Sequence, residues 1–138
     1  GSDVMTKPTS ECVLFVDLLG VSSGLEALND LITSFPLTRL VATTLPAGTR
    51  IETHSSETGL TLVGVTQPHP SGRYFSIQRY LAQCPSGKKT PWVALDSEPQ
   101  QFPSGCAELV VVNPSFGLNP SAIDRLEQAL SLSLRRSA

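Results

Sequence analysis

The run Cys12-Val13-Leu14-Phe15-Val16 puts an apolar side chain on both phases of a strand, and Asp17 closes it. A strand without alternation has no face to give to water, so it reads as a strand covered on both sides. Asp17 is followed at once by Leu18-Leu19-Gly20-Val21, a charge and then a glycine turn. α/β sheets place their chemistry in that position, in the crevice beyond the carboxyl ends of the strands. A second run, Trp92-Val93-Ala94-Leu95, ends in Asp96 in the same way. Two carboxylates at the tips of two inner strands suggest a metal or phosphate site.

Five apolar runs carry the strand signal: Cys12–Asp17, Arg39–Thr44, Leu60–Val65, Trp92–Asp96 and Leu109–Asn113. Helix-like segments lie between them. Leu25, Leu28, Ile32 and Phe35 recur at helical spacing from Gly24 to Phe35. Tyr74, Ile77 and Leu81 do the same from Ser71 to Cys84, with Ser71 placed as the N-cap. In the last helix Asn119 caps, Pro120 suits the first turn, and Ile123, Leu126 and Leu130 form the apolar face. Arg135 and Arg136 then sit near its negative end. Strand alternating with helix predicts a three-layer, doubly wound, mostly parallel five-stranded sheet of Rossmann-like α/β type. The stretch Pro46–Gly59 is polar and aperiodic, and reads as a mobile loop with at most one helical turn.

The chain has 138 residues, enough for one domain with one core of ordinary size. Its net charge of -2 and its lack of a Lys/Arg run longer than two residues give no global pull toward nucleic acid. Cys12, Cys84 and Cys106 are odd in number and lack metal-ligand spacing, which argues against a disulfide framework and for a cytoplasmic protein. No apolar stretch approaches the ~18–20 residues of a membrane helix, and no signal peptide is evident. Gly1–Val4 before Met5 reads as a cloning remnant. The expected organisation is a flexible start over 1–11, one domain over 12–134 and a tail over 135–138.

At the strand tips the topology brings together Asp17, Thr43 or Thr44, and Asp96, with Arg73 opening the helix before the fourth strand. A carboxylate could attack phosphorus or hold a metal, while a hydroxyl and a guanidinium could hold phosphate oxygens. Further carboxylates could complete an oxygen-only Mg²⁺ site, with Mn²⁺ as the alternative ion. Each residue also has a plainer reading: Asp17 and Asp96 as turn-formers, the threonines as backbone satisfiers, Arg73 as a solvated helix residue. His54 and His69 stand alone in polar segments and read as surface histidines. Lys88-Lys89 lacks phosphate-loop spacing and reads as a charged loop.

The order of these segments resembles the haloacid dehalogenase (HAD) superfamily, and most of all its small domains associated with RNA-repair proteins. Val13–Val21 is similar to the first motif, an apolar strand followed by Asp-x-Asp-Gly-Val. Leu40–Thr44 resembles the second, a strand ending in Ser/Thr, and Arg73–Leu81 the third, whose basic residue contacts phosphate. Trp92-Val93-Ala94-Leu95-Asp96-Ser97-Glu98 is similar to the acidic fourth motif, and Gly117-Leu118-Asn119 to the closing segment. The resemblance spans roughly residues 12–134. It implies that Asp17 is a nucleophile forming an aspartyl-phosphate, and that Thr43 and Arg73 hold the phosphate. It implies that Asp17, the backbone carbonyl of Leu19, Asp96 and Glu98 hold Mg²⁺. The family's general acid/base falls on Leu19, which cannot move a proton; Ser97 stands where a second Asp is usual, with Glu98 beside it. General acid–base help is worth ~10²–10⁴ in rate, so such a phosphatase would be slow or dead.

Three functions follow as expectations. The first is a cap-less phosphohydrolase of weak or lost activity, since Val21–Ser23 leaves no room for a cap domain over the site. An open site suits a phosphate on a large substrate, a nucleic-acid end or a protein. The second is a non-catalytic module on the same fold that binds an anion or a protein partner. The third is a metal-dependent nuclease using Asp17 and Asp96, which would not need an acid at Leu19 because metal-bound water can attack.

Overall fold

A computed structural model describes residues 12–136. The remnant read at Gly1–Val4 and the rest of the start expected over 1–11 lie outside the described residues. Five strands alternate with four helices: β1 (Cys12–Asp17), α1 (Leu25–Ile32), β2 (Thr38–Thr44), α2 (Ile51–Thr58), β3 (Leu62–Val65), α3 (Arg73–Leu81), β4 (Trp92–Asp96), β5 (Leu109–Val111) and α4 (Pro120–Arg136). The sheet order is β3-β2-β1-β4-β5 and every pairing is parallel. β1 sits at the centre, fully buried along its length, as its unbroken apolar run requires.

Period-two alternation splits the core into two layers. Leu14 and Val16 of β1, with Val93 and Leu95 of β4, face Leu28 of α1 and Ala122, Leu126 and Leu130 of α4; Ile51 of α2 packs against the same cluster. Val13 and Phe15, with Trp92 and Ala94, face Ile77 and Leu81 of α3 on the other side. Phe15 meets Tyr80 and Trp92 edge-on, at centroid distances of 5.7 and 6.1 Å. The protein is therefore a five-stranded parallel α/β sheet with helices on both faces. Leu14, Leu28, Leu126 and Leu130 are completely buried, and truncating any of them to alanine would cost ~2–5 kcal/mol. Among the described residues no helix is long and apolar enough to cross a membrane.

Several elements depart from the sequence expectation. The stretch read as a mobile loop holds a two-turn helix, α2. Its sequence, Ile-Glu-Thr-His-Ser-Ser-Glu-Thr, has almost no apolar face, so hydrophobic periodicity could not reveal it. Tertiary contacts and side-chain bonds hold it instead. The Thr58 hydroxyl donates to the His54 carbonyl at 2.7 Å, and Ser55 Oγ accepts the Leu62 N–H at 3.1 Å. Gly59, at φ 81°, takes the left-handed conformation that ends the helix. His54, read as a surface residue, is buried. His69 is half-buried and stacks on Phe75.

Helix ends differ in the same way. Gly72, not Ser71, is the N-cap of α3, and no side chain caps it from within. At α4 the expectation stands: Asn119 Oδ1 accepts the Ala122 N–H at 2.9 Å, and Pro120 fills the first position. That helix continues through Arg136, into the stretch read as a tail. β3 and β5 are shorter than their apolar runs, four and three residues.

Candidate functional site

β1 and β4 are neighbours at the point where the strand order reverses. β2 and β3 lie to one side of β1, and β4 and β5 to the other. Crevices at such points are where parallel sheets bind ligands. Val16 pairs with Leu95, so Asp17 and Asp96 end adjacent strands at the same height. Both share the phase of the residues that face α3: Asp17 follows Val13 and Phe15, and Asp96 follows Trp92 and Ala94. Arg73 is the first residue of α3. Alternation thus aims two buried carboxylates at one guanidinium.

The resulting contacts are short. Arg73 Nη1 lies 2.6 Å from Asp96 Oδ1 and 3.4 Å from Asp17 Oδ2, and Nη2 lies 2.5 Å from Glu98 Oε1. The Arg73 backbone N–H donates to Gln101 Oε1 at 3.0 Å, tying the start of α3 to the loop after β4. Glu98 N–H donates to Asp96 Oδ1 at 2.8 Å. One guanidinium therefore answers three carboxylates. Asp17, Asp96 and Glu98 each offer an oxygen within 4.8 Å of the others, so the three could hold a metal ion. The donors are hard oxygens, the set that suits Mg²⁺ or Mn²⁺, and the cluster keeps an excess of negative charge beyond Arg73.

Asp17 is held by donors from two further loops. Oδ1 accepts the Thr44 hydroxyl at 2.6 Å and the Gly20 N–H at 3.3 Å. Oδ2 accepts the Ser97 hydroxyl at 2.7 Å and the Ser97 N–H at 3.2 Å. Thr44 Oγ1 in turn accepts the Leu19 N–H at 2.9 Å. Burial alone would push the pKa of Asp17 up. The hydrogen bonds from Thr44 and Ser97 and the charge of Arg73 outweigh it, holding the group below the ordinary carboxylate range. For Asp96, burial dominates and pushes it up to about 6, against the bonds from Arg73 and the Glu98 N–H and helped by the charge of Asp17. Arg73 loses some charge preference to burial, but Asp96, Glu98 and Asp17 more than restore it.

Asp17, Arg73, Asp96 and Glu98 thus form one cluster. Thr43 does not join it: its hydroxyl is buried without a partner, and Thr44 makes the bond to Asp17. The cause is a register shift. Val16 pairs with Ala42, but Asp17 pairs with Thr44, one residue further than regular pairing allows. Leu19 turns its side chain to solvent, the residue being 61% exposed, while its backbone N–H stays tied to the cluster through Thr44. Three residues carry roles that the sequence reading did not assign. Ser97 is a double donor to Asp17, and Gln101 anchors the start of α3. Gly20 allows the first loop to close on β4, because a Cβ there would sit 1.9 Å from Ser97 Oγ. Gly20 had a sequence signal, the glycine turn after Asp17, and Ser97 had its place in the fourth motif; Gln101 had none.

Comparison of the chain with protein-family models, with curated proteins and with solved structures returned no match.

Proposed function

We propose that this chain is a cap-less phosphoryl-transfer domain of HAD type, using a divalent cation and weak or inactive toward ordinary phosphomonoesters. The observation that carries this reading is the setting of Asp17. Its carboxylate is ionised and oriented by Thr44, Gly20 and Ser97, at the sheet's switch point, beside Arg73 and two more carboxylates. A nucleophilic carboxylate needs that ionised, fixed form. Asp17, Asp96 and Glu98 would hold Mg²⁺, which when bound supplies charge to neutralise phosphoryl oxygens. Arg73 would then let go of the carboxylates and hold phosphate in their place. Thr44, rather than Thr43, positions the nucleophile. The exposed Leu19 supplies no proton, so weak monoesterase activity is the expectation.

A non-catalytic module is the second reading. The fact that favours it is that Arg73 already engages all three carboxylates and so competes with any cation for the same oxygens. Calorimetric titration of Mg²⁺ and Mn²⁺ separates the two. Binding to the unmodified protein that is lost in both Asp17→Asn and Asp96→Asn supports the phosphoryl-transfer site. No binding to the unmodified protein sinks it in favour of the module. Metal-dependent cleavage of single-stranded nucleic acid that needs Asp17 would instead favour a nuclease.

A further inference from the structure

The absence of a proton carrier at Leu19 bears on both halves of a phosphoryl transfer, and the two halves together define a substrate class. The inference rests on the phosphoryl-transfer reading of Asp17. We propose that Asp17 is a terminal phosphoryl acceptor, taking its phosphoryl group from an acyl phosphate and retaining it as an aspartyl-phosphate.

The side chains bonded to Asp17 are the hydroxyls of Thr44 and Ser97 and the guanidinium of Arg73. None of them gives up a proton near neutral pH. Leu19 stands beside them with an apolar side chain turned to solvent. An alkoxide leaving group must be protonated as it departs. Asp96 and Glu98, the other acids of the cluster, are tied to Arg73 and would be taken up by the cation, so among the described residues of the cluster none is left to do so. A carboxylate leaving group needs no such help, because its conjugate acid has a pKa of about 4. The site therefore selects donors by leaving group.

The transfer balances without a proton. A lone pair on an Asp17 carboxylate oxygen forms a bond to phosphorus. The bond from phosphorus to the donor's acyl oxygen breaks, and its electron pair leaves on the donor's carboxylate. The longest contacts of Asp17 are those most easily given up for the attack: Gly20 N–H at 3.3 Å and Arg73 at 3.4 Å. Arg73 then follows the incoming phosphoryl oxygens, while Thr44 and Ser97 keep their shorter bonds.

The reverse requirement applies to the product. Hydrolysing an aspartyl-phosphate calls for a base that deprotonates water at the face opposite Asp17; Asp96 and Glu98 would be committed to the cation, and no group bonded to Asp17 can serve. The missing residue thus spares capture from acyl phosphates and penalises release, so the phosphorylated chain accumulates.

The test incubates the full chain with acetyl phosphate and Mg²⁺ and follows intact mass. One phosphoryl group per chain is expected, trapped by borohydride reduction and mapped to residue 17 in the unmodified protein. Asp17→Asn should stay unlabelled. Leu19→Asp should lose its label roughly 10²–10⁴-fold faster and should gain turnover of glycerol phosphate, an alkyl ester. If the unmodified protein instead releases phosphate catalytically from either compound, without accumulating label, the acceptor role is overturned and the phosphoryl-transfer reading stands. Label mapped to another residue, with none at residue 17, overturns both, since both place the nucleophile at Asp17. If no label and no turnover appear in either the unmodified protein or Leu19→Asp, both readings fall.

Discussion

The tips of β1 and β4 carry the same residue, a buried aspartate, in nearly the same place, yet they are in opposite electrostatic states. Asp17 is 2% exposed and Asp96 1%. Asp96 even holds the shorter bond to Arg73, 2.6 against 3.4 Å. It is nevertheless Asp96 that is pushed up to about 6 and Asp17 that is held down. The difference lies in how many donors each carboxylate collects. Asp17 receives two hydroxyls and two backbone N–H groups besides the guanidinium; Asp96 receives one backbone N–H and shares the guanidinium with two other acids. A single charged partner does not offset burial, whereas a cradle of aligned dipoles does. The β1 tip is built to stay ionised, whereas the β4 tip holds its proton more tightly.

The largest test of this contrast removes the shared partner. Arg73→Met should cost about 3–5 kcal/mol of stability at neutral pH, since it strands buried carboxylates. Urea unfolding should show a smaller loss at pH 5, where Asp96 takes up a proton and no longer needs the charge. A loss that ignores pH would break the comparison. Next comes Thr44→Val, which leaves Asp17 Oδ1 short of its closest donor and should cost about 1–3 kcal/mol. Asp17 should then titrate at higher pH while Asp96 stays where it is.

The titrations themselves can be followed by carbon NMR of the side-chain carboxyls. Asp96 should show a midpoint of about 6, and Asp17 should not respond until strongly acidic solution. The signs for stability are opposite. Asp96 binds its proton more tightly when folded, so its contribution is complete below about 4, the unfolded value. That contribution is lost as pH rises through about 6. Asp17 contributes above the unfolded value and loses its share as pH falls through its lower folded one. Cation affinity should accordingly rise as pH passes about 6. Coincident midpoints would sink the account. The smallest effect is expected at the neighbouring threonine. Thr43→Val removes a buried hydroxyl that has no partner, so stability should change by no more than about 0.5 kcal/mol, or rise.

Much of this site could be read from the sequence because strands obey a simple period. The unbroken runs ending in Asp17 and Asp96 located two acids on inner strands, and helix spacing placed Arg73 at the head of α3. What the period could not supply was any exception to it. Regular pairing would set Asp17 against Thr43, and only the one-residue slip after Val16 brings in Thr44. Nothing local in Leu-Val-Ala-Thr-Thr announces a slip, since its cause is how β1 and β2 end together. α2 escaped for a related reason, because side-chain bonds and Ile51 packing hold it where apolar periodicity is missing. The donors Ser97 and Gln101 are polar loop residues, and only the closed loops show what they face.

The contact between Gly20 and Ser97 couples two positions that lie far apart in the sequence. A side chain at 20 would occupy the space that the Ser97 hydroxyl fills, 1.9 Å from Ser97 Oγ and 2.6 Å from Asp17 Oδ2. Gly20→Ala alone forces that hydroxyl off the acid, and Ser97→Gly alone removes the bond without using the room it leaves. Combined, the second change has little left to break. The two losses should therefore overlap rather than add, with the crowding of a side chain at 20 against Asp17 Oδ2 left as the remainder.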